Sequence, residues 1–178
     1  MADFFSLSQA SFREMERLQK ALNLALSMFP ALWRKALNDA GDIAHKYYDR
    51  QFKSEGAEFG TKWKDLAAST QRQRQKKGYK PAHPILVRRG YLRASVASKT
   101  SANARRTVTA QGIVMASTLK TKSGLNLLAL HQAGGKHLPK RQIYKAGEPP
   151  FISQRGWKEI KLRFLGMFIE IRRAMEGA

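Results

Sequence analysis

His131, His137 and Glu148 come nearest to a metal-ligand set in this chain of 178 residues. Zinc, the ion such donors suit best, is held by ligands at short, recurrent spacings, and these three match no such pattern. The expectation at His131 is a hydrogen-bonded structural histidine closing a short helix, with no metal and no cofactor. Catalytic constellations are equally thin. Cysteine is absent, Asp and Glu together number 13, and no Ser-His-Asp set, carboxylate pair or phosphate loop stands out. Residues 62–106 hold one carboxylate, Asp65, too few for a two-metal nuclease. An enzyme is not expected.

The side chains that do gather are cations. Lys and Arg number 33, giving a formal charge of +20, enough self-repulsion to call for an acidic partner. Residues 62–106 carry 13 of those cations against Asp65, +12 of the total. Arg72, Arg74, Lys76, Lys77, Lys80, Arg88, Arg89 and Arg93 form the densest group, on segments read as exposed and facing a partner. Clustered Lys and Arg are rewarded on DNA by counterion release, and an acidic protein face would serve as well. No helix-turn-helix, zinc module or basic-aromatic strand is present, so sequence-specific readout is not expected.

Positioning these groups takes a folded chain, and 43% hydrophobic residues supply a core that a disordered basic tail lacks. The length suits one domain. The absence of cysteine fits a reducing compartment. Neither a signal peptide nor a membrane-spanning run is evident, which points to a protein made and used in solution.

Phe12, Met15, Leu18, Leu22, Ala25, Leu26 and Phe29 recur at helical spacing, with Ser8 or Ser11 as caps. Pro30 suits the first turn of a second helix running through Leu32, Trp33, Ala36, Leu37, Ala40, Ala44, Tyr47 and Tyr48. Residues 1–52 therefore read as a helical hairpin or one kinked helix. Gly56 and Gly60 mark a loop, and residues 71–77 form a polar run without an apolar anchor, read as an exposed basic loop. Pro81 and Pro84 impose extended backbone before them, so residues 85–87 read as a short buried extended segment. Residues 94–117 read as strands with turns at 101–104 and 111–112. A short apolar helix over 125–130 ends before Gly134-Gly135, and Glu148-Pro149-Pro150 is a rigid connection.

The last segment is the clearest helix. Trp157, Ile160, Phe164, Phe168, Ile171 and Met175 make one stripe, widened by Leu162, Leu165, Met167 and Ile169. An apolar face wider than ~100° exceeds what a small domain can cover. Trp157, Ile160, Phe164, Phe168 and Ile171 are therefore expected at a subunit interface. The fold class is α+β: a small antiparallel sheet packed with long N-terminal helices and a C-terminal helix, in one domain whose core spans 53–178.

Several of these residues also fall into a known order. Trp63, Leu66, Thr70 and Arg74, then Ile85, Leu86, Gly90, Leu92, Arg93 and Ser95, then His131, Gln132 and Gly134, resemble the motifs of the virion morphogenesis (tail completion) proteins of Mu-like tailed phages. The likeness spans residues 52–171. It departs at Arg89, where the family has Ser or Thr able to cap a helix, worth ~1 kcal/mol, and at Leu127-Leu128, where it has Tyr-Ala. The family's Pro-x-Arg stands as Pro139-Lys140-Arg141 or is replaced by Pro149-Pro150-Phe151. The resemblance implies a structural virion protein that completes the tail and joins it to the head as a neck ring of six copies. It would be assembled in the host cytoplasm, against neighbouring connector or tail-tube proteins, with non-specific contact to genomic DNA in the channel. The other reading of the same charge is a stand-alone basic nucleic-acid-binding protein.

Overall fold

The computed structural model describes residues 9–82, 84–136, 138–144 and 152–177. Its spine is α1, Gln9–Lys53, a single helix of 45 residues with Pro30 inside it. Of the two readings of residues 1–52, a helical hairpin or one kinked helix, the described residues from Gln9 onward follow the single helix. Proline removes one i→i−4 hydrogen bond, and here that loss falls on an exposed turn between two long amphipathic stretches. At 1.5 Å per residue α1 extends roughly 68 Å.

The antiparallel partner of α1 is α5, Gln154–Glu176, capped by Ser153. Residues early in α5 meet the end of α1, with Glu159 bonded to Lys46 and Tyr47. Further along, Phe164 packs on Trp33 at 5.2 Å between ring centroids. Gly156 makes the approach possible, since a Cβ there would lie 2.9 Å from the Tyr47 ring. At roughly 35 Å, α5 spans about half of α1.

The core forms around the second half of α1. Ala40, Ile43, Ala44, Tyr47, Tyr48 and Phe52 are buried with Trp63, Ile85, Leu92, Val96, Ile143, Ile152 and Ile160. Phe52 and Trp63 meet edge to face at 5.5 Å. After a 3₁₀ turn at Ala57–Phe59 come α2, Ala68–Lys76, and α3, Tyr91–Ala97. Then follow the hairpin strands β1, Ala104–Val108, and β2, Ile113–Ser117, and α4, Leu127–Ala133. The strands pair antiparallel with Arg106 opposite Met115. The α+β class expected from the sequence is the one observed.

Several local expectations are corrected. The exposed loop over 71–77 is largely α2, because alternating Arg and Gln are good helix formers even without an apolar stripe. Residues 85–87 form a turn in which Leu86 has φ 61°, while Ile85 is fully buried. Residues 94–97 belong to α3 rather than to a strand; Val96 is β-branched, yet the helix packs it into the core. Gly90, not residue 89, sits at the N-cap of α3, with φ 78° and no side-chain cap bond. The turns at 101–103 and 109–112 and the helix ending at Gly134 lie close to expectation. His137, Glu148, the Pro149-Pro150-Phe151 segment and the cap candidate Ser8 lie outside the described residues.

The hairpin is clamped to α1. Trp33 Nε1 donates to Ala110 O at 2.9 Å, and Arg106 donates to Asp42 and Asn38. Gly41 leaves the space: a Cβ there would lie 2.7 Å from the Arg106 guanidinium. A helix-interior glycine costs about 1 kcal/mol relative to alanine, and the close approach of the hairpin offsets it.

Two glycines flanking the 3₁₀ turn provide a test. Both have left-handed φ, 103° at Gly56 and 91° at Gly60, but a Cβ at Gly56 would strike Thr61 O and Trp63 whereas Gly60 faces open space. Gly60→Ala is expected to lose about 1 kcal/mol through φ alone. Gly56→Ala should lose clearly more, and urea unfolding of the two variants measures the difference.

Candidate functional site

The densest cationic surface is built on α2 and the loop after it. Arg72, Lys76, Lys77, Lys80, Arg88 and Arg89 are exposed, as expected. Helical spacing puts Arg72 and Lys76 on one side of α2, and Arg74 faces inward. Arg74 is only 6% exposed, and its Nη1 donates to Pro84 O at 3.1 Å. Its expected exposure is therefore corrected: Arg74 is buried, with Pro84 of the 84–87 turn accepting from it. Burial, then the charge of Arg88, lowers its pKa, while Glu55 opposes them.

Tyr79 organises the loop. The Arg88 guanidinium lies over its ring at 5.1 Å, and Arg89 Nε donates to its hydroxyl at 3.0 Å. The bond from Arg89 draws the Tyr79 pKa down. Arg74, Gly78, Tyr79, Lys80, Pro84, Val87 and Arg88 enclose a cavity of about 230 Å³. Arg93 is turned elsewhere. Its Nη2 and Nε bond Asp49 Oδ1 at 2.6 and 2.7 Å, and Lys53 holds the other oxygen. A half-buried ion pair therefore replaces the expected partner-facing role of Arg93.

A second, open cleft of about 780 Å³ lies between α1 and the hairpin, lined by Arg34, Asn38, Asp42, Lys99 and Arg105 among others. Its cations are partly neutralised, because Asp42 binds both Arg106 and Lys99. The bond from Arg106, chiefly, holds the Asp42 carboxyl below its ordinary range.

Of the residues carrying the family likeness, Trp63 is buried and its Nε1 donates to Gln142 O at 3.0 Å, a core role. Leu66 is half-buried, Thr70 exposed and Leu92 buried. Ser95 is buried, accepts from Ser117 Oγ at 2.8 Å and so links α3 to β2. Gln132 is the most connected. Its Oε1 accepts from Ile143 N and Tyr144 N and its Nε2 donates to Tyr144 O at 2.8 Å, which holds an irregular buried segment in place. Gly134 ends α4 at φ 74°, where a Cβ would lie 2.8 Å from the backbone of Lys140.

His131 departs from expectation. It sits in the last turn of α4, but its Nδ1 is buried without a hydrogen-bond partner among the described residues. Its carbonyl, rather than its ring, makes the local link, accepting from Arg141 N at 2.8 Å. Arg141 is only 3% exposed, with Nη2 donating to Lys64 O at 3.2 Å. Burial, then the Arg141 charge, pushes the His131 pKa down to about 4. His45, not singled out by the sequence, is buried with Nδ1 donating to Val96 O at 2.8 Å, and burial lowers its pKa also. Among the described residues no group of three His, Asp or Glu side chains is placed to hold a metal.

The apolar stripe of α5 divides in two. Ile160 is buried in the chain's own core, and Trp157 and Phe164 pack against that core; the core takes Ile160 in place of the expected subunit contact, while Trp157 and Phe164 stay half-buried. Ile171 is half-buried and Phe168 is 53% exposed, with Leu162, Leu165 and Ile169 exposed beside it. On α1, Phe12, Met15, Leu18, Leu22, Leu26 and Phe29 are all exposed along one stripe. No helix among the described residues is long and apolar enough to cross a membrane. No family model, curated protein or solved structure matches the chain.

The buried imidazoles set a pH dependence. Between pH 6.5 and 4 the unfolded chain protonates His131 while the folded chain does not, so stability is full above pH 6.5 and declines as pH falls toward 4. The full linkage for such a shift is roughly 3 kcal/mol, reduced to about 2 by partial exposure. Urea unfolding at pH 7.5, 5.5 and 4 is expected to show this loss, and His131→Gln should show a smaller one.

Proposed function

We propose that the protein is a structural assembly subunit rather than an enzyme, and that copies of it associate through the exposed apolar faces of α1 and α5. The observation that carries this is the bare start of α1, ahead of the buried Ala21. Residues 12–20 are all exposed, and the stripe from Phe12 to Phe29 is apolar along its length. Charge supports a second copy as the occupant. Residues 9–29 carry Arg13, Arg17 and Lys20 against Glu14 and Glu16, close to neutral in a chain of +20, so this is where like chains meet with least repulsion. An apolar stripe at helical spacing with a partly neutral border suits helix-on-helix packing between copies.

The identity of the assembly rests on the motif resemblance: a tailed-phage virion, with the protein completing the tail and joining it to the head as a six-copy neck ring. In that reading the chain is assembled in the host cytoplasm and retained at the head–tail junction. The exposed cations around Tyr79 face a neighbouring ring or the DNA in the channel. The second reading, a stand-alone nucleic-acid-binding protein, draws on those same cations.

Native mass measurement separates the two: a discrete multimer is expected, whereas a monomer at high concentration that binds DNA favours the second. Leu18→Asp and Phe168→Asp should leave folding within about 0.5 kcal/mol of the parent, both sites being exposed. Each should nonetheless abolish the multimer, because it buries an unpaired charge between copies. Sedimentation velocity with far-UV circular dichroism reads both effects, and a multimer unaffected by both changes overturns the assignment.

A further inference from the structure

The geometry points to the cavity beneath Tyr79 as a phosphate-binding pocket that takes one backbone phosphate of a nucleic acid, with Arg74 at its base and Lys80 and Arg88 at its rim. Three observations carry it. First, three of the lining residues are cations and none is a carboxylate. Arg88 and Arg74 line the same cavity as like charges, with Glu55 only partly offsetting them at Arg74, and a bound anion would turn that repulsion into charge-assisted hydrogen bonds.

Second, Arg74 is a built component rather than a loose surface charge. It is more than nine-tenths buried yet lines the cavity. Its one hydrogen bond among the described residues, from Nη1 to Pro84 O, leaves the other donors of a five-donor guanidinium for a ligand. Arg88 lies over Tyr79 at 5.1 Å, and Arg89 donates to the Tyr79 hydroxyl at 3.0 Å, so the rim cations are gathered around one ring. A fork-shaped donor held by its surroundings is what planar recognition of a phosphate needs.

Third, the surroundings select a polymer over a small phosphate. The half-open cavity of about 230 Å³ is large enough to admit a phosphate group, being several times the roughly 30 Å³ of a water. Outside it, residues 71–89 carry Arg72, Lys76, Lys77 and Arg89 and no carboxylate. A ligand with one phosphate would leave these charges unmatched, whereas a nucleic-acid strand brings further phosphates to them. The pocket does not depend on self-association, since a ring subunit and a free chain would present it alike.

A labelled 12-base-pair duplex titrated into the full-length protein at several salt concentrations tests the pocket, with oligomeric state read separately by sedimentation. Lys80→Gln with Arg88→Gln, both exposed, is expected to weaken duplex binding about tenfold or more and to lower the slope of log K against log salt by roughly 2. Arg163→Gln with Arg173→Gln on α5 removes the same charge and should leave affinity within about twofold. Arg74→Lys, checked for folding by circular dichroism, keeps the charge, loses the fork and should also weaken binding. Inorganic phosphate should displace the duplex more than chloride of equal ionic strength does. Equal losses from the two double variants would mean that net charge alone binds and would overturn the pocket. Displacement by polyglutamate as effective as by phosphate would overturn it in favour of an acidic protein partner.

Discussion

The close approach of α5 to α1 over the Tyr47 ring is the contact on which the rest of the structure depends. Gly156 leaves room for the ring, and Glu159 then accepts from the Tyr47 hydroxyl at 2.6 Å and from Lys46 at 3.0 Å. The bond from Tyr47 foremost holds the Glu159 carboxyl below its ordinary range. Ile152 and Ile160 reach the core because the start of α5 is seated there. The same contact sets how far α5 reaches along α1. A helix of 23 residues cannot cover one of 45, so residues 12–20 of α1 are left exposed.

Polar side chains do much of the work that a larger sheet would otherwise do. The two-stranded sheet offers few ladder bonds, and the segment at 141–144, with Arg141 and Ile143 buried, has no regular structure. Buried backbone groups need partners, and here amides supply them. Gln51 Nε2 and Trp63 Nε1 both donate to Gln142 O, and Gln132 serves Ile143 and Tyr144. Arg74 and Arg141 bond the carbonyls of Pro84 and Lys64. Part of the large positive charge is thus spent inside the fold, a use that composition cannot distinguish from a surface role.

What remains outside is divided by place. The apolar excess lies on the first half of α1 and the end of α5, where charges are mixed in sign, while the unneutralised cations gather on α2 and the Tyr79 loop. Self-association and polyanion binding therefore draw on different surfaces, so one does not have to displace the other.

The sequence by itself determined the α+β class, the two long amphipathic helices, the turns of the hairpin and the end of α4 at Gly134, because these follow from local spacing and from residues with special backbone freedom. Its count of cations, and the exposure of six of the eight singled out, also carried through. Tertiary structure alone decided between the hairpin and the single helix at Pro30, made Arg74 a buried floor and Arg93 half of an ion pair with Asp49, and packed Ile160 in the core and Phe164 on Trp33. It alone showed that Gly41 and Gly156 admit neighbouring elements. The physical reason is common to all of these: burial and pairing depend on which distant segment arrives at a given side chain, and spacing along one chain records a periodic face without naming what that face will meet.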